Sequence, residues 1–180
     1  DYRSSRGLGD VYKRQRKFIE EKFCIEEDFY ICSMSSQTII YKGLMLPNAI
    51  DQFYIDIAKP NFEAKICLFH QRFSTNTLPK WHLAQPFRLL AHNGEINAIR
   101  GNRNWARARQ SKFSSPLIPK INKFKDLVNE TGSDSSALDN MIELLNKGGI
   151  DLFRALRMVL PPAWQNVHSI DQDLKAFHEY

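Results

Sequence analysis

The stretch Ala64-Lys65-Ile66-Cys67-Leu68-Phe69-His70-Gln71-Arg72-Phe73-Ser74-Thr75-Asn76-Thr77 changes character in its middle. Ile66 to Phe69 is a continuous apolar run, the pattern of a strand covered on both faces. From His70 onward the residues are polar, a loop at a strand end, where binding groups tend to sit. The same junction recurs downstream. Phe87 to Ala91 reads as a short buried strand that delivers His92-Asn93-Gly94-Glu95. A third polar cluster, Thr131-Gly132-Ser133-Asp134-Ser135-Ser136, stands directly before a helical pattern.

Working outward, Phe29 to Ser33 and Thr38 to Tyr41 are rich in Tyr, Ile and Thr around the polar turn Met34-Ser35-Ser36-Gln37, which predicts a β-hairpin. Pro47 is placed to open a helix carrying Ile50, Phe53, Tyr54 and Ile57 at i, i+3, i+4 and i+7, stopped by Pro60. A short helix is expected near Lys17 to Cys24 and another from about Glu95 to Arg109, weakened by Gly101. Ser111 to Asn122 reads as a loop with Pro116 and Pro119. Ser136-Ala137-Leu138-Asp139 fits a capping box for a helix ended by Gly148-Gly149, and Ile150 to Met158 reads as a further helix before Pro161-Pro162. The pattern is a mixed α/β chain with at least four strands.

With 180 residues, 43% hydrophobic and 25% charged, the chain suits one domain or part of a larger one. No stretch approaches the roughly 18 apolar residues of a membrane helix, so no membrane partner is expected. Cys24, Cys32 and Cys67 form no Cys-x-x-Cys pair, and the five histidines are scattered, so neither a disulfide framework nor a metal site is expected. The formal charge of +5 is concentrated: six basic residues against Asp1 and Asp10 place +4 of it in residues 1–17. Residues 1–15 lack apolar periodicity and resemble a translated sequencing adapter or a disordered segment, so fold reasoning starts at residue 16. Between Ile96 and Lys125 lie eight basic residues and no acidic one. Without an accompanying nucleic-acid-binding fold this reads as a solvated or partner-facing surface, and no nucleic-acid partner is expected.

The three polar clusters have complementary chemistry. Singly, Arg72 could be a surface ion-pair partner, Asn93-Gly94 a hairpin turn, and Asp134 with its serines a helix cap. Together, Arg72 offers a fork for a carboxylate and Asp134 a counter-charge for an amine. Asn93 offers a side-chain amide N–H and Gly94 an unshielded backbone N–H, a donor pair suited to an oxyanion. Such a set fits an amino acid with a reactive side-chain carbonyl, and glutamine matches.

These residues also carry a family resemblance. His70 to Thr77, then Pro79, Trp81 and Ala84-Gln85-Pro86-Phe87, resemble the glutaminase domain of glutamate synthases. Leu90 to Glu95, Ile99 to Trp105, Gly132 to Ser136 and Pro162 to Asn166 continue the match, and Tyr30 to Ser33 and Tyr41 to Gly43 precede it. The resemblance covers residues 17–180. It implies a class II glutamine amidotransferase with an N-terminal-nucleophile hydrolase αββα sandwich, here over residues 16–180 as a partial domain. It implies that Arg72 binds the glutamine α-carboxylate beside Thr75 and Asn76, that Asp134 binds the α-amine, and that Asn93 and Gly94 form the oxyanion hole.

The family nucleophile is an N-terminal cysteine using its own α-amine as base. Residue 1 here is Asp, and Cys24, Cys32 and Cys67 are internal. The expectation is an internal piece lacking the first strands and the nucleophile, without glutaminase activity on its own. For the whole enzyme the resemblance implies ammonia transfer to 2-oxoglutarate, FMN and an iron–sulfur cluster outside this chain, and a cytoplasmic or plastid location. It implies partnership with the remaining domains of the same polypeptide and a small reductase subunit or ferredoxin, leaving the donor open among NADH, NADPH and ferredoxin. Two other readings share Arg72 and Asp134: a non-catalytic glutamine- or anion-binding module, and a different class II amidotransferase. Gly101 to Trp105 and Pro162 to Asn166 favour glutamate synthase over the latter.

Overall fold

A computed structural model describes residues 4–23, 29–71, 78–124, 126–167 and 169–179. Along these residues run the helices α1 (Ser4–Lys22), α2 (Ile50–Phe53), α3 (Ile99–Arg109), α4 (Asp134–Lys147), α5 (Leu152–Val159) and α6 (Gln172–Glu179).

Helix α4 is central because its signals agree at both ends. Ser133 is the N-cap, its Oγ accepting the Ser136 N–H at 3.1 Å, and Asp134 places negative charge in the first turn. The expected capping box therefore starts three residues too late. Ser136 lies in the first turn, donating its hydroxyl to the Ser133 carbonyl at 2.8 Å, and Asp139 is fully buried inside the helix. At the other end Gly149 adopts φ +103°, and the Ile150 N–H reaches back to the Leu145 carbonyl at 3.0 Å, a Schellman-type stop. Asp151 then caps α5 by accepting from the Phe153 and Arg154 N–H groups.

The core forms where α4 meets the segment expected to be a plain loop. Ile118, Ile121, Leu127 and Leu144 are buried together, with Phe113, Phe124 and Met141 packed against them. Ser115 anchors that segment, donating to the Gly148 carbonyl at 3.0 Å and accepting the Leu117 N–H at 3.1 Å. The basic segment set aside by the sequence reading is helical from Ser4 to Lys22. It packs on α4 through charge: Lys13 Nζ and Arg16 Nη2 lie 3.0 and 2.6 Å from Glu143 Oε2.

The expected strands are the main difference: the described residues contain no strand. Between 33 and 40 the chain does reverse, but serine hydroxyls take the backbone donors. Ser33 Oγ accepts from Ile40 N–H and Ser35 Oγ from Gln37 N–H, each at 3.1 Å. The run at 66–69 is unpaired and open, with Ile66 87% and Phe69 76% exposed. Apolar patterning records which side chains favour burial, whereas a strand also needs a neighbouring backbone to bond. The helix expected from Pro47 to Ile57 shortens to a 3₁₀ turn at Pro47–Ala49 and the four residues of α2, in which no residue is buried. Helix α6 was not anticipated, although Asp171, accepting the Leu174 N–H at 3.1 Å, is a legible cap.

Candidate functional site

The loop Leu90 to Ile96 is held at three points. At its centre, the Gln85 side chain takes both backbone groups of His92: Oε1 accepts the His92 N–H and Nε2 donates to the His92 carbonyl, each at 2.8 Å. Before the loop, the Leu89 N–H donates to Asp139 Oδ1 at 2.7 Å. After it, the Ile96 N–H donates to Asp134 Oδ2 at 2.9 Å. The tip, Asn93-Gly94, stays exposed.

The structure brings Asn93 to His70, whose Nε2 lies 2.6 Å from Asn93 Oδ1. With Oδ1 as acceptor, His70 carries its proton on Nε2, and the Asn93 NH2 faces elsewhere as a donor. Gly94 departs from expectation. Its N–H is not unshielded but donates to His92 Nδ1 at 3.0 Å. In the neutral ring the proton then sits on Nε2, an atom buried without a hydrogen-bond partner.

Asp134 is half-buried at the start of α4. Besides Ile96, it accepts from the Ser135 N–H at 2.6 Å and the Ser135 hydroxyl at 3.2 Å, both on Oδ1. All three donors are neutral, so none of them cancels its charge, and a carboxylate offers about four acceptor positions. Arg103 steadies the same turn by donating to the Gly132 and Ser133 carbonyls at 2.5 and 3.1 Å. Arg72, Thr75 and Asn76 lie outside the described residues, as does Cys24.

Sequence reasoning gave Gln85, His92 and Arg103 no role of their own and read Asp139 as the end of a capping box. A Gln clamp or a ring nitrogen two residues back leaves no periodic trace. A buried acid inside an amphipathic helix does leave one, an Asp on the apolar face, and could have been noticed.

Behind the loop lies a buried charged layer. Arg88 donates to the Ile31 carbonyl at 2.5 Å and stands 3.6 Å from Glu20. Burial raises the Asp139 carboxyl above the ordinary range against the opposing pull of the Leu89 N–H and Arg88. Burial also pushes the Glu143 carboxyl up, but Lys13, Arg16 and Arg88 outweigh it and hold Glu143 well below that range. Lys42, desolvated beneath the Tyr30 and Phe87 rings, is lowered to about 8. Cys32 is half-buried, and desolvation raises its thiol. A separate open groove of about 600 Å³ between α5 and α6, lined by Phe153, Arg154, Arg157, Asp171, Leu174 and Phe177 among others, includes none of the residues of the Asn93 loop.

The loop thus presents the Asn93 amide at an exposed tip, and its far end is tied through the Ile96 N–H to Asp134. The chain belongs to the class II glutamine amidotransferases, whose family model matches residues 8–180. It is 41% identical over 177 residues to the ferredoxin-dependent glutamate synthase of Cyanidium caldarium, covering 94% of this chain and 11% of that protein. It is 42% identical over 167 residues to the NADH glutamate synthase of Saccharomyces cerevisiae, covering 92% of this chain and 8% of that protein. It is 45% identical over 154 residues to the large chain of the NADPH glutamate synthase of Bacillus subtilis, covering 85% and 10%. The chain thus spans about a tenth of the length of these relatives and matches their amidotransferase portion.

Proposed function

We propose that this chain is the glutamine-binding and oxyanion-stabilising part of a glutamate synthase glutaminase domain, the expected 16–180 extended toward residue 8 because the family match reaches it and Lys13 pairs with Glu143. The observation that supports this best is the Asn93 tip, with Oδ1 on His70 and its NH2 left to donate, in a chain of this family. In the proposed reaction a cysteine thiolate adds to the glutamine amide carbon. The carbonyl oxygen becomes an oxyanion held by Asn93 and Gly94, the C–N bond breaks, ammonia leaves, and water hydrolyses the thioester to glutamate. Arg72, with Thr75 and Asn76, holds the α-carboxylate, and Asp134 the α-ammonium.

The thiolate is not assigned to Cys32 or Cys67. Neither has a free α-amine as base, and burial disfavours the Cys32 thiolate. The chain alone is therefore proposed to bind glutamine without hydrolysing it. In the whole enzyme the ammonia passes to 2-oxoglutarate. FMN and an iron–sulfur cluster belong to the proposed whole enzyme. Both are assigned to the remaining domains of the polypeptide, the electrons arriving from a reductase subunit or ferredoxin. None of the described helices is long and apolar enough to cross a membrane, and a cytoplasmic or plastid setting is proposed. The expected sandwich is proposed to assemble when further strands offer backbone partners to 29–33, 38–41, 64–69 and 87–91.

Calorimetric titration of the purified chain with L-glutamine and D-glutamine tests the binding. Saturable binding of the L-form, lost in Arg72→Ala, is expected. Glutamine turnover by the chain that disappears in Asn93→Ala would overturn the assignment of the nucleophile elsewhere.

A further inference from the structure

The Asn93-Gly94 tip must hold its donors within a few tenths of an ångström of an oxyanion, yet both residues are exposed. Something beneath the loop has to fix it. Both ends of the loop are bonded to one helix: Leu89 N–H to Asp139 Oδ1 at 2.7 Å and Ile96 N–H to Asp134 Oδ2 at 2.9 Å. Five residues of helix separate these acids, an axial offset of about 7.5 Å. Seven residues of extended chain could span about 23 Å. Tying both ends to α4 therefore obliges the segment to double back, and Asn93-Gly94 falls in the returning part. Asp134 is only half-buried, whereas Asp139 has no solvent exposure. A carboxylate placed there is costly unless its bonds are made, and its second oxygen, Oδ2, has no partner.

We propose that Asp139 is a positioning residue for the oxyanion-hole loop, bracing Leu89 from inside α4 so that Asn93 and Gly94 are presented at a fixed height. The oxyanion role itself rests on the function proposed above, but the bracing does not need a ligand to be seen.

Amide hydrogen exchange on the chain tests it. In Asp139→Ala, exchange at Leu89 and Gly94 is expected to rise at least about tenfold, while Ala155 and Ile150 change less than about twofold. Asp139→Asn, which keeps an acceptor oxygen for Leu89, is expected to restore most of the protection. Should Asp139→Ala fail to fold, an ester in place of the Leu89 amide removes the donor and leaves α4 untouched, with the same rise expected at Gly94. Unchanged exchange at Gly94 in either the folded alanine variant or the ester overturns the proposal, as does equal loss in the asparagine variant. Wild-type chain that fails to bind glutamine while these exchange effects hold would instead overturn the functional reading and leave the brace standing.

Discussion

In the proposed site Asn93 serves the oxyanion through its nitrogen, in keeping with its Oδ1 lying 2.6 Å from His70 Nε2. Replacing Asn93 by Ala in an intact, cysteine-bearing synthase is expected to cost about 10²–10³ in glutaminase kcat with KM little changed, because the donor acts mainly in the transition state. Asp134 separates charge from scaffold. Asp134→Asn keeps an acceptor for the Ile96 N–H but removes the charge offered to an ammonium. Glutamine affinity, measured by titration of the chain, is expected to fall about 10- to 100-fold, the worth of a charge-assisted hydrogen bond. An unchanged Kd would remove Asp134 from the amine site. Asn93, Gly94 and Asp134 were legible in sequence as residue types at the ends of patterned segments. That the Gly94 N–H is already occupied by His92 was not, since a bond within a turn depends on backbone angles that composition does not carry.

Helices were readable in proportion to how much of their specification is local. Helices α3, α4 and α5 carry their own caps, charge or stops and lie close to where periodicity puts them. Ser133→Ala is expected to lower stability by about 1 kcal/mol in denaturant unfolding, the usual worth of an N-cap. Gly149→Ala is expected to cost more than the ordinary helix-end glycine. Its φ of +103° is strained for any side chain, and an added Cβ would meet Leu117 Cδ1 at 3.0 Å. Helix α2 shows the converse. Phe53 is 68% exposed and, among the described residues, only Tyr54 of the face finds a ring outside it, that of Tyr41, so an apolar i, i+3, i+4 spacing with so little to pack against sustains only one turn. The strands failed for the same reason in two dimensions, since half of every ladder hydrogen bond belongs to another segment.

Across the whole molecule, a buried ionic layer joins α1 to α4. Glu143 faces both Lys13 and Arg16, and Glu143→Gln leaves two buried cations short of their anion, an expected loss of about 3–5 kcal/mol. The pH dependence has a definite sign. The folded Glu143 carboxyl lies below its ordinary value of 4.5, so its contribution is complete between about pH 4.5 and the Lys13 value, which burial lowers to about 8, and fades as acid protonates it. The stability gap between the wild type and Glu143→Gln, followed by urea unfolding, is expected to narrow steadily below that pH. A gap independent of pH would show that the pair is not ionic. By itself the sequence determined what is local or chemical: the family, the helices with their own caps, and the polar residues of the candidate site. Tertiary structure alone decided which polar groups meet, because Gln85 on His92, Asp139 on Leu89 and Glu143 between Lys13 and Arg16 join residues apart in the chain. Such pairings are fixed by the cost of burying a charge or an N–H unpaired, which no stretch of sequence reveals until the fold selects what is buried.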